Sequence, residues 1–233
     1  MDDAVLLAEQ LEYYRARARE YDEWWLRQGR FDRGPDANAQ WFEEAAALEQ
    51  ALERFGPSGD VLELACGTGL WTRHLVGSAT RLVSVDASSE VLAINRERLG
   101  GAPVQYVQAD LFEWQPAPAA YDVCFFGFWL SHVPEERFAA FWETVRTALR
   151  PGGRVFFADS ARASSSTAVH DRLPAPGEDV MTRRLNDGRE FRVVKRYYEP
   201  RRLEQRLAQL GWRVEVQSTG EYFIYGAGAP QQD

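Results

Sequence analysis

The chain has 233 residues, carries 27 lysines and arginines against 35 aspartates and glutamates, and has a formal net charge of -8. That length suits one α/β domain with a full core and a modest addition, 1-233, rather than two comfortable domains. The acidic balance argues against a nucleic-acid substrate, because such affinity rests on neutralising phosphates, and leaves a small molecule as the expected partner.

Residues 1-28 form one amphipathic pattern behind the candidate caps Asp2 and Asp3, with Leu7, Leu11, Tyr14, Ala18, Tyr21 and Trp25 at three- and four-residue steps. Two readings stand: a helix packed on the domain, or a lid. The density of aromatics (Tyr13, Tyr14, Tyr21, Trp24, Trp25, Phe31) supports the lid, since a π-rich cover excludes water and favours a cationic ligand. Gly29 to Pro35 breaks the pattern like a hinge, a second helix runs from about Ala37 to Arg54, and Gly56-Pro57-Ser58-Gly59 turns into the first strand. The acidic start and short apolar runs lead us to expect no signal peptide and no membrane partner. Cys66 and Cys124 lie in or beside apolar strands and read as structural thiols of a cytoplasmic protein.

The organising stretch is Val61-Leu62-Glu63-Leu64-Ala65-Cys66-Gly67-Thr68-Gly69, followed by Leu70 to Val76. It reads as a buried parallel strand, a tight glycine turn and a helix start, the geometry of a nucleotide cradle or of plain α/β scaffold. Arg81 to Asp86 gives a second strand ending in an acid that could accept both ribose hydroxyls. Thr72 stands where a dinucleotide fingerprint wants glycine or alanine, which disfavours a dehydrogenase. Val104 to Leu111 forms a third strand with Asp110 near its end, and Tyr121 to Phe126 a fourth.

In this order and spacing, the four motifs resemble the class I S-adenosylmethionine-dependent methyltransferases over about residues 58-160. The resemblance implies an α/β, Rossmann-like, seven-stranded, mostly parallel sheet with helices on both faces, an antiparallel last strand pair and an amino-terminal helical lid. It also implies S-adenosyl-L-methionine as cofactor. Glu63, Ala65, Gly67 and Gly69 would border its methionine part, Asp86 with Ala87 its ribose, and Asp110 with Leu111 its adenine, with Phe126 close by. Ala65 departs from the pattern, which usually has a third glycine there.

Ser88 can cap a helix through Leu99, closed by Gly100-Gly101. After the fourth strand comes Gly127-Phe128-Trp129-Leu130-Ser131-His132-Val133-Pro134, which should border the crevice at the strand ends. It lacks the acid-or-amide, double-proline, aromatic motif of the family's base methylators. His132 reads either as a structural group or as a catalytic one near the methyl acceptor. No histidine, cysteine or acid cluster has a recognisable metal-ligand spacing, so no metal is expected. Glu135 to Leu149 gives a helix, and Pro151-Gly152-Gly153 turns into a fifth strand at Arg154 to Asp159.

Ser160 to Asp179 is polar and loop-like, after which Met181 to Leu185 and Glu190 to Lys195 flank Asn186-Asp187-Gly188 as a hairpin. Lys195 is the single lysine among the 27 basic residues. The basic run here is either a solvated face or, for an inward Arg183 and Lys195, an anion site. Pro200 to Leu210 and the alternating Trp212 to Val216 and Tyr222 to Tyr225 close the fold.

Tyr13 to Asp22, Trp71 to Leu75, Trp129 to Pro134 and Asp187 to Lys195 further resemble the phosphonate O-methyltransferase group of dehydrophos biosynthesis, over nearly the whole chain. That likeness implies Arg183 and Lys195 as anion ligands and the aromatic amino-terminal segment, with Tyr14 and Tyr21, as a lid; Trp129 is a further candidate contact to the acceptor. The expected layout is 1-54 lid, 58-160 donor-binding core, 161-198 substrate-facing insertion and 199-228 closing helix and strands. The expected activity is O-methylation of a small anionic acceptor, phosphonate or carboxylate, in natural-product metabolism. The alternatives are methylation of a phenol, hydroxyl or amine with His132 as general base, and a donor-binding protein without catalysis.

Overall fold

The central strands are apolar on both faces, as strands sandwiched between helical layers must be. In the computed structural model, which describes residues 3-175 and 177-231, β1 (Gly59–Leu64) and β4 (Tyr121–Gly127) lie side by side in parallel. They are flanked by β2 (Ala79–Asp86) and β3 (Val104–Gln108) on one side and by β5 (Leu149–Ser160) on the other. The complete sheet runs β3-β2-β1-β4-β5-β9-β8, with β8 (Trp212–Ser218) and β9 (Phe223–Pro230) at its far edge. Only β9 runs against its neighbours, pairing antiparallel with both β5 and β8. The expected seven-stranded sheet with an antiparallel last pair is therefore what the chain forms.

Strand alternation divides the core into two layers. Leu62, Leu64, Cys124, Phe126 and Phe157 face α6 (Phe138–Ala148) and α7 (Pro200–Gln209). Val61, Val123, Phe125 and Phe156 face α3 (Pro35–Phe55). The helix after β1, α4 (Thr72–Leu75), is a single turn, shorter than its apolar sequence suggests. Ser88 caps α5 (Ser89–Leu99) by accepting the Val91 N–H, and Gly100 closes it in a left-handed conformation, both as expected. Both cysteines are buried free thiols. No described helix is long and apolar enough to cross a membrane.

The amino-terminal pattern is two helices, α1 (Asp3–Arg17) and α2 (Tyr21–Trp25), not one, and the candidate cap Asp2 lies outside the described residues. The hairpin forms as expected, β6 (Val180–Arg184) with β7 (Glu190–Val194), in a small sheet of its own. An unprotected β7 edge would leave backbone N–H groups without partners. Glu9 accepts the Arg192 N–H at 2.6 Å and Gln10 accepts the Val194 N–H at 2.9 Å, so α1 covers that edge. Tyr13, Met181, Leu185 and Val193 form the apolar seam between them.

Candidate active site

Strand order reverses between β1 and β4, and open α/β sheets bind ligands at the carboxyl ends of the strands on either side of such a point. The loop after β1 is tightly determined there. A Cβ on Gly69, whose φ is +88, would lie 2.7 Å from Asn95 Oδ1. Asn95 is itself held, accepting from the Tyr106 hydroxyl at 2.8 Å and donating to Thr72 Oγ1 at 2.9 Å. Ala65, in place of the glycine usual at this position, adopts φ 52, a left-handed conformation that strains a residue with a Cβ.

Asp86 closes β2 with both oxygens engaged: Oδ2 accepts the Gly67 N–H at 2.9 Å and Oδ1 the Ser88 N–H at 3.0 Å. Burial raises its pKa, against the pull of those two N–H groups. Behind the loop, Glu63 accepts from Ser84 Oγ at 2.6 Å and Thr72 Oγ1 at 3.1 Å. Burial outweighs both contacts and pushes it up to about 8, so it is mostly the neutral acid at pH 7.

A cavity of about 340 Å³ opens at this point. Ala65, Gly67, Asp86, Ala87, Asp110 and Leu111, the sequence's candidates for the donor, line it, while Leu7 and Leu11 of α1 and Tyr14 and Tyr21 close it from above. Glu63, Gly69 and Phe126 do not reach its wall: Phe126 is fully buried in the core, and Glu63 and Gly69 support the loop from behind. Ser88, Val91, Phe112 and Arg137 also line it and were not foreseen. The cover is fastened at α2, where Asp22 accepts from Thr68 Oγ1 at 2.6 Å and pairs with Arg98.

Adjoining this space is a smaller polar cavity of about 30 Å³, room for two or three waters. Arg183, Lys195, Tyr14 and Tyr21 face it, joined by Arg17, Tyr197, Ser160 and Ser166. Tyr14, Tyr21, Phe128 and His132 line both cavities and form the partition between them. Trp129, expected at the acceptor, lies instead on the larger cavity, its ring 5.3 Å from Phe112. The cause is Phe128, whose φ of 56 reverses the chain and sends its own ring against Trp24, 4.8 Å away, on the opposite side. One of the missed residues follows helix spacing, since Arg17 is three residues after Tyr14 in α1, whereas Tyr197 lies in the irregular stretch after β7.

The partition is polar but not charged. His132 Nδ1 lies 2.6 Å from the Val194 carbonyl oxygen, so it carries the proton, and Nε2 accepts from the Tyr14 hydroxyl at 2.8 Å. Burial, reinforced by the nearby Lys195 charge, holds the imidazole well below its ordinary pKa and hence neutral. Burial pushes the Tyr14 phenol well up. Lys195 donates to Ser131 Oγ at 2.9 Å and has Asp159 at 3.7 Å. Burial brings it down to about 8, with Asp159 resisting. Arg183 is anchored from the far side by Thr167 at 2.6 Å and Asp171 at 2.9 Å.

The strand order, a carboxylate closing β2 beside a glycine turn, and a covered cavity at the switch point define an enzyme that binds an adenosyl cofactor and works on it away from water. Comparison with known proteins makes the class specific. A methyltransferase-domain family model matches residues 61–153. A ubiquinone biosynthesis O-methyltransferase of Cronobacter sakazakii is 27% identical over 196 residues, 83% of this chain and 73% of its own. The solved structure of a DhpI–SAH complex is 40% identical, covers 98% of each chain and superposes with a TM-score of 0.78. A DhpI–SAM–HEP complex is 41% identical over 97% of this chain and 98% of its own, with a TM-score of 0.79. The chain belongs to the class I S-adenosylmethionine-dependent methyltransferases and resembles DhpI over its whole length.

Proposed function

We propose that this enzyme methylates an oxygen of a small anionic acceptor, a phosphonate or a carboxylate, in natural-product metabolism. One observation carries the reading: a cavity of about 30 Å³ faced by Arg183 and Lys195 shares its partition with the larger, cofactor-sized one. The likeness to DhpI, seen in complex with SAM and HEP, points the same way, as does the sequence resemblance to the phosphonate O-methyltransferases. The free buried thiols suit the reducing cytoplasm, where we place the reaction.

The residues fit the donor. Asp86 would take the ribose hydroxyls, Asp110 and Leu111 with Ala87 the nucleoside, and Ala65 and Gly67 the methionine part, with Glu63 and Gly69 holding that loop in shape. When bound, the donor supplies an already activated methyl group on a sulfonium. The chain's part is then positional. Arg183 and Lys195 orient the acceptor's oxygens, and charge-assisted hydrogen bonds of this type contribute roughly 1.5–3 kcal/mol each. Tyr14, Tyr21 and the cover of α1 and α2 exclude water, and alignment of the reacting atoms can supply roughly 7–11 kcal/mol of the barrier reduction. The two cations must grip oxygens other than the attacking one, since a cation lowers the nucleophilicity of the atom it holds. An ionised acceptor needs no general base. His132, neutral and committed through both ring nitrogens, serves in this reading to fix Tyr14 rather than to take a proton.

The test is S-adenosylhomocysteine release measured over phosphonates, carboxylates, phenols and amines. Turnover confined to the anions is expected. Turnover of phenols or amines alone, lost in His132→Gln, would replace this reading with general-base catalysis on a neutral acceptor.

A further inference from the structure

The three cations facing the smaller cavity are not equivalent. Lys195 has Asp159 at 3.7 Å and Arg183 has Asp171 at 2.9 Å. Arg17 has no carboxylate within ion-pair distance among the described residues. It is 7% exposed, and its buried Nε has no hydrogen-bond partner. What surrounds it is aromatic: its guanidinium carbon lies 5.6, 5.0 and 5.7 Å from the ring centroids of Tyr13, Tyr21 and Phe31. Other arginines with a buried, unsatisfied nitrogen, whether buried or half-buried as residues, spend the rest of the fork on oxygens. Arg27 donates to the Ser165 carbonyl at 2.7 Å, Arg30 to Glu20 at 3.0 Å and Arg33 to the Thr167 carbonyl at 2.9 Å. Arg17 has none of these.

A desolvated charge without a counterion is costly, and ring faces offset only part of that cost. A guanidinium held at one edge of a polar cavity by three rings, with its donors unspent, is preorganised for a planar or tetrahedral oxyanion entering that cavity. We propose that Arg17 binds the acceptor's anionic head group directly, as a third ligand beside Arg183 and Lys195, and that it sets the preference for compact oxyanions over neutral acceptors. This rests on the anionic-acceptor reading above. The chemistry favours arginine over lysine at this position, because a fork can reach two oxygens of one head group while stacked, which an ammonium cannot.

The experiment is calorimetric titration of methylphosphonate, and separately of acetate, into protein saturated with S-adenosylhomocysteine. For Arg17→Gln, anion affinity is expected to fall roughly ten- to hundredfold, the loss of one charge-assisted contact. Its S-adenosylhomocysteine affinity should stay within about threefold of wild type on the same basis, which also reports that it folds. Arg17→Lys should fall between the two. The exposed Arg172→Gln should match wild type. If Arg17 only packs against its rings, Arg17→Gln melts lower by the same margin with and without the anion and keeps wild-type anion affinity, which overturns the proposal while the acceptor reading stands. If the wild-type protein binds neither anion, the acceptor reading and this proposal fall together.

Discussion

Lys195 offers the most direct test of the anion site, because its charge is finely balanced. Enclosure brings it from an ordinary 10.5 down to about 8, against the pull of Asp159. That interval corresponds to roughly 3 kcal/mol by which the free folded protein disfavours the ammonium. An acceptor anion beside Lys195 restores the charged form, so acceptor binding above pH 8 must take up a proton. With donor saturating, kcat/KM for the acceptor should therefore hold below pH 8 and fall about tenfold per pH unit above it. The limb is read most cleanly with a carboxylate acceptor, whose own charge is constant well below pH 8. Lys195→Arg keeps its charge throughout and should lose the limb, at a lower plateau because the fork does not fit the ammonium's place beside Ser131 Oγ. Calorimetry in two buffers of different ionisation enthalpy would count the proton directly. A wild-type profile flat to pH 10, or an identical limb in Lys195→Arg, would refute the reasoning.

Tyr14→Phe leaves the buried Nε2 of His132 without its donor and should cost about 1–3 kcal/mol in denaturant unfolding, with turnover reduced because the partition between the cavities loosens. Glu63 has a folded pKa near 8 against an ordinary 4.5, so its contribution to stability is present at pH 4.5 and disappears as pH rises through 8. Urea unfolding of the donor-free protein should lose roughly 4–5 kcal/mol from this group across that window, and Glu63→Gln should remove the dependence. Gly69→Ala forces a Cβ to 2.7 Å from Asn95 Oδ1 at φ +88 and should destabilise by roughly 2–4 kcal/mol, measurable as a lowered melting temperature together with weakened S-adenosylhomocysteine binding.

Much of the fold was legible because its central strands and turns carry strong local signals. The apolar runs of β1 and β4, the Ser88 cap and the glycine closing α5 each have a near-unique structural solution. The hairpin's register follows from Asn186-Asp187-Gly188, and with it the inward turn of Arg183 and outward turn of Arg184. The lining of the larger cavity was readable for residues at strand ends, where backbone order dictates position. It was less so for Phe126 and Trp129. Whether a side chain lies in a wall or behind it depends on the reversal at Phe128, a left-handed bulky residue that no propensity anticipates. Arg17 of α1 meets Ser160 and Ser166 from a stretch more than a hundred residues further along the chain, so only their packing reveals them. The break between α1 and α2 was equally silent, since Ala18 continues the apolar spacing into the turn.

The distance from Lys195 to Asp159 decides whether the cation is available. Asp159 accepts the Ser131 N–H at 2.8 Å through Oδ2 and the Ser160 N–H at 2.7 Å through Oδ1, so its charge is already shared between two backbone donors. At 3.7 Å from Lys195 it is too far for a hydrogen-bonded ion pair but near enough to keep a buried ammonium from discharging at neutral pH. A closer carboxylate would hold Lys195 so firmly that an acceptor anion would have to break the pair. A more distant one would let burial neutralise the amine and remove the charge that binds. The same carboxylate fixes the Ser131 backbone, and the next residue, His132, orients Tyr14 in the partition. One buried acid at the end of β5 therefore ties the charge of the smaller cavity to the shape of the wall that separates it from the larger one.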